Sequence, residues 1–271
     1  MSLVAAVSSA KGGSGKSVTA LNLALALHSL GRDVTLVDAN LSAPSLGLLL
    51  GAPRAPVTLH HVLKGEADVH QAVYRHASGM KVVPGSLQHH DLQEKHLATL
   101  PHHLHQLSSD LILLDAAPGL GNEAQHALHP AEEVLVVTTP DAASVTQSLK
   151  TVKAAQAAGK LVRGVVVTRY GKRHDLALQD IQHMLDVPLL AVIPEDHHVA
   201  SAAARGDAVL QVFPDAPASV AYMNLALYLT GERDTPAVGP VDRPSEGERP
   251  GFGGEENQSR PARFLNWVLG K

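Results

Sequence analysis

The sequence predicts an α/β chain with a doubly wound, mostly parallel sheet and helices on both faces. Three features carry this expectation. Short aliphatic runs recur from residue 3 to about residue 230, separated by stretches with helical spacing. The runs are apolar on both faces instead of alternating, as strands covered on both sides must be. Several of them end in a glycine-rich or acidic segment, the place where ligands bind in such sheets.

The elements follow in order. Leu3 to Ser8 is a buried apolar run and reads as a strand. From Ser17 to Leu30, leucines and alanines keep a helical repeat, and Gly31 supplies the stop. Val34 to Asp38 and Met80 to Val83 read as the second and third strands. Leu111 to Asp115, Val134 to Thr138, Val162 to Thr168 and Leu189 to Ile193 complete the set. Helices are expected near 91–107, 121–128, 141–158 and 174–185. The composition agrees with a packed domain: 45% of residues are hydrophobic but only 3% aromatic, so the core must be aliphatic.

The character changes after Leu229. Residues 231–261 are rich in Gly, Pro, Glu, Asp, Arg and Ser, a composition that cannot bury a core. The last ten residues turn apolar again. The chain is therefore divided into a folded α/β domain at 1–232, a flexible linker at 233–261 and an amphipathic helix at 262–271. On that helix Phe264, Leu265, Trp267, Val268 and Leu269 share one broad face, with Arg263 and Asn266 opposite. An aromatic and aliphatic face with basic edges suits the water–lipid interface.

Several functions are excluded or disfavoured. There is no cysteine, which removes disulfides, thiolate metal sites and cysteine-ligated clusters. The net charge of -4 gives no general pull toward nucleic acid or anionic lipid, so either partner needs a local patch. No basic leader precedes the first strand, and no apolar stretch reaches the roughly 20 residues that span a bilayer. A cytoplasmic protein is expected. The 17 histidines match no ligand spacing and read as surface composition.

The strongest signal follows the first strand. Ala10-Lys11-Gly12-Gly13-Ser14-Gly15-Lys16-Ser17-Val18 leads straight into a helix. Phosphates need many donors close together and a backbone free of Cβ clashes. The glycines permit that loop, and the helix adds its positive end. Lys16 would reach phosphate oxygens and the Ser17 hydroxyl would ligand Mg²⁺. Two acidic strand ends complete the pattern. Asp38 closes the second strand, in Asp38-Ala39-Asn40, and Asp115 closes Leu111–Leu114. Four aliphatic residues and then Asp is a Walker B arrangement, where a carboxylate holds Mg²⁺ directly or through water.

The Lys-Gly-Gly-x-Gly-Lys-Ser run resembles the deviant Walker A motif of the MinD/ParA ATPases, and the segment after Asp115, Ala-Ala-Pro-Gly-Leu-Gly, is similar to their switch II. The resemblance covers about residues 1–232 and the tail. It implies ATP and Mg²⁺ as ligands, hydrolysis of ATP, and an ATP-bound homodimer in which Lys11 crosses to the partner's phosphates. It implies a base pocket at Thr168-Arg169 and Pro194-Glu195-Asp196. It also implies attachment to an anionic membrane at the inner face of the cell through the tail, and an activating protein partner. The first position of the motif is Ala10 where the general pattern has glycine, and Asn40 stands where the family's switch I has a second aspartate. An amide can orient a water but cannot act as a base, so slow hydrolysis is expected. Within the family, the many basic residues of a DNA-binding partition ATPase are absent. Between Asp196 and Leu229 only Arg205 is a lysine or arginine. Flagellar or chemotaxis-array positioning ATPases share all these parts, and a nucleotide-bound scaffold that scarcely hydrolyses ATP remains the alternative of a different class.

Overall fold

The computed structural model describes residues 2–88 and 91–236; the linker beyond 236, the terminal segment 262–271 and the pair His89-His90 lie outside the described residues. The elements run β1 Leu3–Ser9, α1 Lys16–Ser29, β2 Val34–Ala39, α2 Leu46–Leu49, α3 Leu59–Leu63, a 3-10 turn Val69–Ala72, β3 Tyr74–Arg75 and β4 Lys81–Val83. They continue with α4 Glu94–Leu97, α5 Leu100–His105, β5 Leu111–Ala116, α6 Asn122–Leu128, β6 Glu133–Thr138, α7 Ala142–Ala157 and β7 Leu161–Tyr170. The last are α8 Leu178–Leu185, β8 Leu189–Pro194, α9 His197–Ala204, α10 Val209–Val212 and α11 Pro217–Leu229.

These strands form one sheet in the order β3-β4-β2-β5-β1-β6-β7-β8. Every pairing is parallel except the short edge strand β3 against β4. The doubly wound class expected from the sequence is therefore present. The all-apolar runs are explained by two cores, one on each face. One packs α1, α10 and α11 through residues such as Leu21, Leu25, Leu36, Leu113 and Leu225. The other packs α3, α5, α6, α7 and α8 through Val37, Leu59, Leu104, Ile112, Val152 and Ile181.

Some boundaries differ from the sequence expectation. The region 91–107 holds two short helices, because Pro101 starts α5 afresh and cannot continue α4. The helix expected at 174–185 begins only at Leu178. β7 is longer than expected and irregular, with register shifts against both neighbours. Gly164 explains the irregularity. Its φ is +150°, and a Cβ there would lie 2.3 Å from the Pro188 carbonyl oxygen and 2.8 Å from Leu190 Cγ. Only glycine lets β7 and β8 approach this closely.

Gly164→Ala is accordingly expected to destabilise the domain by about 1–3 kcal/mol through backbone strain and overpacking. Denaturant unfolding measures this, and an unchanged midpoint would show that the β7–β8 contact yields freely.

Candidate functional site

β1 is an interior strand, flanked by β5 and β6, and β2 lies on the far side of β5, so the loop at the carboxyl end of β1 leaves the same sheet edge as the ends of β2 and β5. The loop turns at Gly13 (φ 79°) and Gly15 (φ 85°), both in left-handed geometry. Gly15 caps α1, and the Thr19 N–H closes the first turn on the Gly15 carbonyl at 2.8 Å. The N–H groups of Lys16, Ser17 and Val18 thus stand outside the helical ladder, at the positive end of the helix dipole. No acidic residue occupies that first turn. The loop, Asn40, Ser45, Pro118 and Arg169 line a cleft of about 460 Å³.

Beneath the loop lies a buried cluster of charge. Asp38 and Asp115 are register partners on β2 and β5, and both are fully buried. Lys16, 6% exposed, turns its ammonium back onto Asp115 Oδ1 in a buried ion pair. Burial pushes the Asp115 carboxyl upward, against the pull of Lys16 and the Ser17 hydroxyl. Its second oxygen, Oδ2, is buried with no hydrogen-bond partner among the described residues, and so is Ser14 Oγ. The Asp38 carboxyl is pushed up to about 7, first by burial and then by the Asp115 charge. Opposing this, its Oδ2 accepts N–H bonds from Ser45 and Leu46, both at 2.9 Å. Below about pH 7 the Asp38 proton leaves Asp115 and Lys16 balanced; above it two carboxylates face one lysine, and in either case a partnerless buried oxygen remains. These residues fit a phosphate chain with its divalent cation, held by Ser17, Asp38 and Asp115.

Other predicted residues are placed less simply. Asn40 borders the cleft, but its amide donates to the Ala43 carbonyl at 2.6 Å. Thr168 is buried under the loop, and its hydroxyl donates to the Ser14 carbonyl at 2.6 Å and the Thr138 carbonyl at 3.2 Å. A Cβ on Gly15 would meet its side chain at 3.4 Å. Thr168 therefore props the phosphate loop, where the sequence suggested a base contact. Arg169, at φ 57°, lines the cleft itself. Glu195 pairs with Lys172 at 3.3 Å. The Asp196 side chain caps two helices, accepting from the His198 N–H at 2.9 Å and the Ala218 N–H at 3.0 Å. Lys11 reaches outward: its ammonium is 3.6 Å from Asp141 Oδ1, and its side chain is 42% exposed.

The sequence did not reveal how the loops are joined. Ser42 donates to Glu123 from both its N–H, at 2.9 Å, and its hydroxyl. This bond ties the segment after Asn40 to α6, which follows Pro118-Gly119-Leu120-Gly121. The Gly119 N–H in turn bonds the Ser9 carbonyl at 2.7 Å. His60 departs from the surface reading of the histidines. It is buried, meets the Leu41 carbonyl at 2.9 Å, and accepts the Ser86 N–H at 3.0 Å. The Ser-x-x-Ser spacing of Ser42 and Ser45 is a hint of loop capping, but nothing local pairs Ser42 with a residue 81 positions away.

Residues 5–209 match the model of the CobQ/CobB/MinD/ParA nucleotide-binding domain. The chain belongs to this family. An uncharacterized ATP-binding protein from Methanocaldococcus jannaschii is 32% identical over 240 residues, covering 86% of this chain and 89% of that protein. Among solved structures, the cell-division ATPase MinD of Pyrococcus furiosus superimposes with a TM-score of 0.80 at 33% identity, covering 86% of this chain and all of that one. The septum site-determining protein MinD of Pyrococcus horikoshii, complexed with Mg-ADP, gives 0.79 at 31% identity, with 84% and 96% covered. The phosphate loop and acidic strand ends described above are thus those of a MinD/ParA-family domain.

The raised carboxyl of Asp38 has a consequence for stability. Without nucleotide, the folded chain keeps a proton there that the unfolded chain, with an ordinary value of 3.8, has released. Folding stability should fall as pH rises from about 4 through about 7. Asp38→Asn should flatten this slope and raise the melting temperature at pH 8. Equal slopes in melting curves of the two proteins would refute the placement of that proton.

Proposed function

We propose that this chain is a MinD-like ATPase whose ATP-dependent dimerisation drives reversible membrane association, positioning a division site or a similar structure. The observation that carries the reading is Lys11. It stands at the rim of the phosphate cleft, half-exposed, and among the described residues its ammonium has one ion-pair contact, partly solvated, to Asp141. Such exposed pairs contribute about 0–1 kcal/mol, so Lys11 is released at little cost to reach a partner's phosphates. Asp141 is not built for Lys11 alone. Burial works against its charge, but the Ser144 and Thr139 hydroxyls and the Ser144 N–H hold its carboxyl well below the usual range. It can keep that charge when Lys11 leaves.

ATP and Mg²⁺ are the ligands this reading assigns, in keeping with the Mg-ADP of the Pyrococcus horikoshii MinD complex. Bound magnesium supplies shielding of the phosphate charge. Lys16 exchanges Asp115 for phosphate oxygens, which frees the carboxylate for its cation role. Loop N–H groups from Gly12 to Val18 hold the phosphates. Asn40 orients the attacking water once its amide lets go of Ala43, and with no carboxylate there turnover is slow. Arg169 borders the base side of the cleft.

The membrane step falls to residues 262–271. No described helix is long and apolar enough to cross a membrane. One short amphipathic segment binds weakly, and two on a dimer bind together through effective concentration. On this reading the chain acts peripherally at the inner face of the cell membrane, with an activating protein as a further partner. The scaffold alternative is favoured by one observation, the engagement of Asn40 with Ala43. A DNA-partition role finds less support, since Arg205 is the one lysine or arginine between Asp196 and Leu229.

Co-sedimentation with anionic liposomes, comparing ATP with ADP, tests the reading directly. Binding is expected with ATP and lost in a chain ending at Pro261; binding in neither state would point to a soluble scaffold. Lys11→Ala should leave the fold intact and abolish the ATP-dependent shift to a dimer in size-exclusion chromatography with light scattering. Asn40→Asp should raise the ATP turnover rate, and an unchanged or lower rate would show that Asn40 does not orient the attacking water.

A further inference from the structure

Outside the phosphate cleft, the segment after β8 brings three metal-ligating side chains to one place. Asp196 caps α9, and His197 and His198 are the first two residues of that helix. One donor atom from each of the three lies within 4.8 Å of the others. The His198 Nδ1 is 2.8 Å from Asp196 Oδ1, and the His197 Nδ1 is 4.0 Å from the same oxygen. Two ligands of a tetrahedral zinc ion, each about 2.0–2.1 Å from the metal, stand about 3.3 Å apart. The two spacings bracket that value, so a movement of roughly 0.5–0.7 Å at each imidazole seats an ion between them. Among the described residues no other three His, Cys, Asp or Glu donors come together this way.

The carboxylate is the fixed part of this cluster. The Asp196 side chain is 3% exposed, and among the described residues the two imidazoles are its only ion-pair partners. No lysine or arginine of the described residues answers its charge. Burial works against that charge, but the Ala218 and His198 N–H groups and the His198 ring hold the carboxyl below its usual range. A buried carboxylate that stays ionised and faces only imidazole is short of a cation. Its second oxygen, Oδ2, accepts the Ala218 N–H at 3.0 Å, which orients the group between α9 and α11. The His198 ring packs on Phe213, with centroids 4.7 Å apart, and His197 packs on His198 at 4.0 Å. Supporting contacts of this kind hold metal ligands in orientation.

We propose that Asp196, His197 and His198 form a binding site for one zinc-class divalent ion, with a carboxylate oxygen and two imidazole nitrogens as ligands and water in the fourth position. Imidazole with one carboxylate suits Zn²⁺, Ni²⁺ or Cu²⁺, whereas Mg²⁺ takes oxygen ligands, so the site does not draw on the cation of the phosphate loop. None of the three residues lines the phosphate cleft. The positive end of α9, worth about half a charge, opposes a cation here, and the full charge of the carboxylate outweighs it. A bound ion ties the start of α9 to the end of β8 and, through Asp196 Oδ2, to α11. The site is independent of the nucleotide and membrane functions proposed above.

Isothermal titration of the full, nucleotide-free chain with Zn²⁺ tests this, beside His197→Ala, His198→Gln and a His102→Ala/His103→Ala control. The control removes an adjacent histidine pair elsewhere, whose rings stand 5.5 Å apart. His197 is 82% exposed, so its replacement leaves the fold intact, and circular dichroism checks His198→Gln. With 17 histidines in the chain, weak background binding is expected, and the site is read as the tightest single equivalent. Wild type and control should bind that equivalent, and excess Mg²⁺ should not displace it. His197→Ala and His198→Gln should each weaken it roughly tenfold or more, at least the cost of losing a supporting outer-shell group. Saturating Zn²⁺ should also raise the melting temperature of wild type and control more than that of the two variants. No stoichiometric equivalent in wild type, or one kept by both variants, overturns the proposal. Equal weakening in the control would assign the binding to histidines at large and sink the site. Light scattering on the same samples covers the remaining case: a zinc-induced dimer abolished by His197→Ala would put the ion between two copies and overturn a site within one chain.

Discussion

Two carboxylates, Asp38 and Asp115, lie side by side at the buried ends of neighbouring strands, with the single ammonium of Lys16 set against one of them. Buried charge of this kind is costly unless it is matched, and here it is matched incompletely. The loop geometry follows from that constraint. The Ser45 and Leu46 amides turn toward Asp38, which fixes the segment after β2. Lys16 sets its ammonium against Asp115, at the first turn of α1, where the leading N–H groups lie outside the helical ladder. Once Asp38 is ionised the cluster is short of one cation, which a phosphate chain with its metal would supply.

The rest of the site is arranged to transmit that completion. The segment after Asp38 reaches α6 through Ser42 and Glu123, and the segment after Asp115 reaches β1 through Gly119 and Ser9. Thr168, anchored on β7, supports the loop from below. Each acidic loop is thus tied to a neighbouring element, one to α6 and the other to β1. Lys11 is the opposite case, a side chain almost without obligations on the rim. The site thus combines rigid support below the loop with a loosely held cation at its rim.

The far end of α1 shows a comparable incompleteness in apolar surface. The helix buries most of its length in the core, but its last turn and the outer face of α11 leave Leu25, Val220 and Met223 facing an open groove among the described residues. The nucleotide end and the groove end belong to the same helix. Its first turn borders the phosphate-loop cleft, and its last turn borders the apolar groove.

Much of this was legible in the sequence by itself. Strand runs apolar on both faces required a parallel sheet, since only a covered sheet can bury such runs, and the Lys11–Val18 motif with two acidic strand ends located the phosphate site, because spacing along one chain encodes loop geometry. Belonging to the MinD/ParA family followed from the same residues. Tertiary structure alone decided what depends on residues far apart in the chain. The inward turn of Lys16 onto Asp115 spans 99 positions, the prop of Thr168 under Ser14 spans 154, and the link from Ser42 to Glu123 spans 81. No local pattern records such meetings, because a side chain's partner is set by which strands the fold makes neighbours. The same holds for the α1–α11 groove, whose walls come from segments nearly 200 residues apart and exist only once the sheet has brought them together.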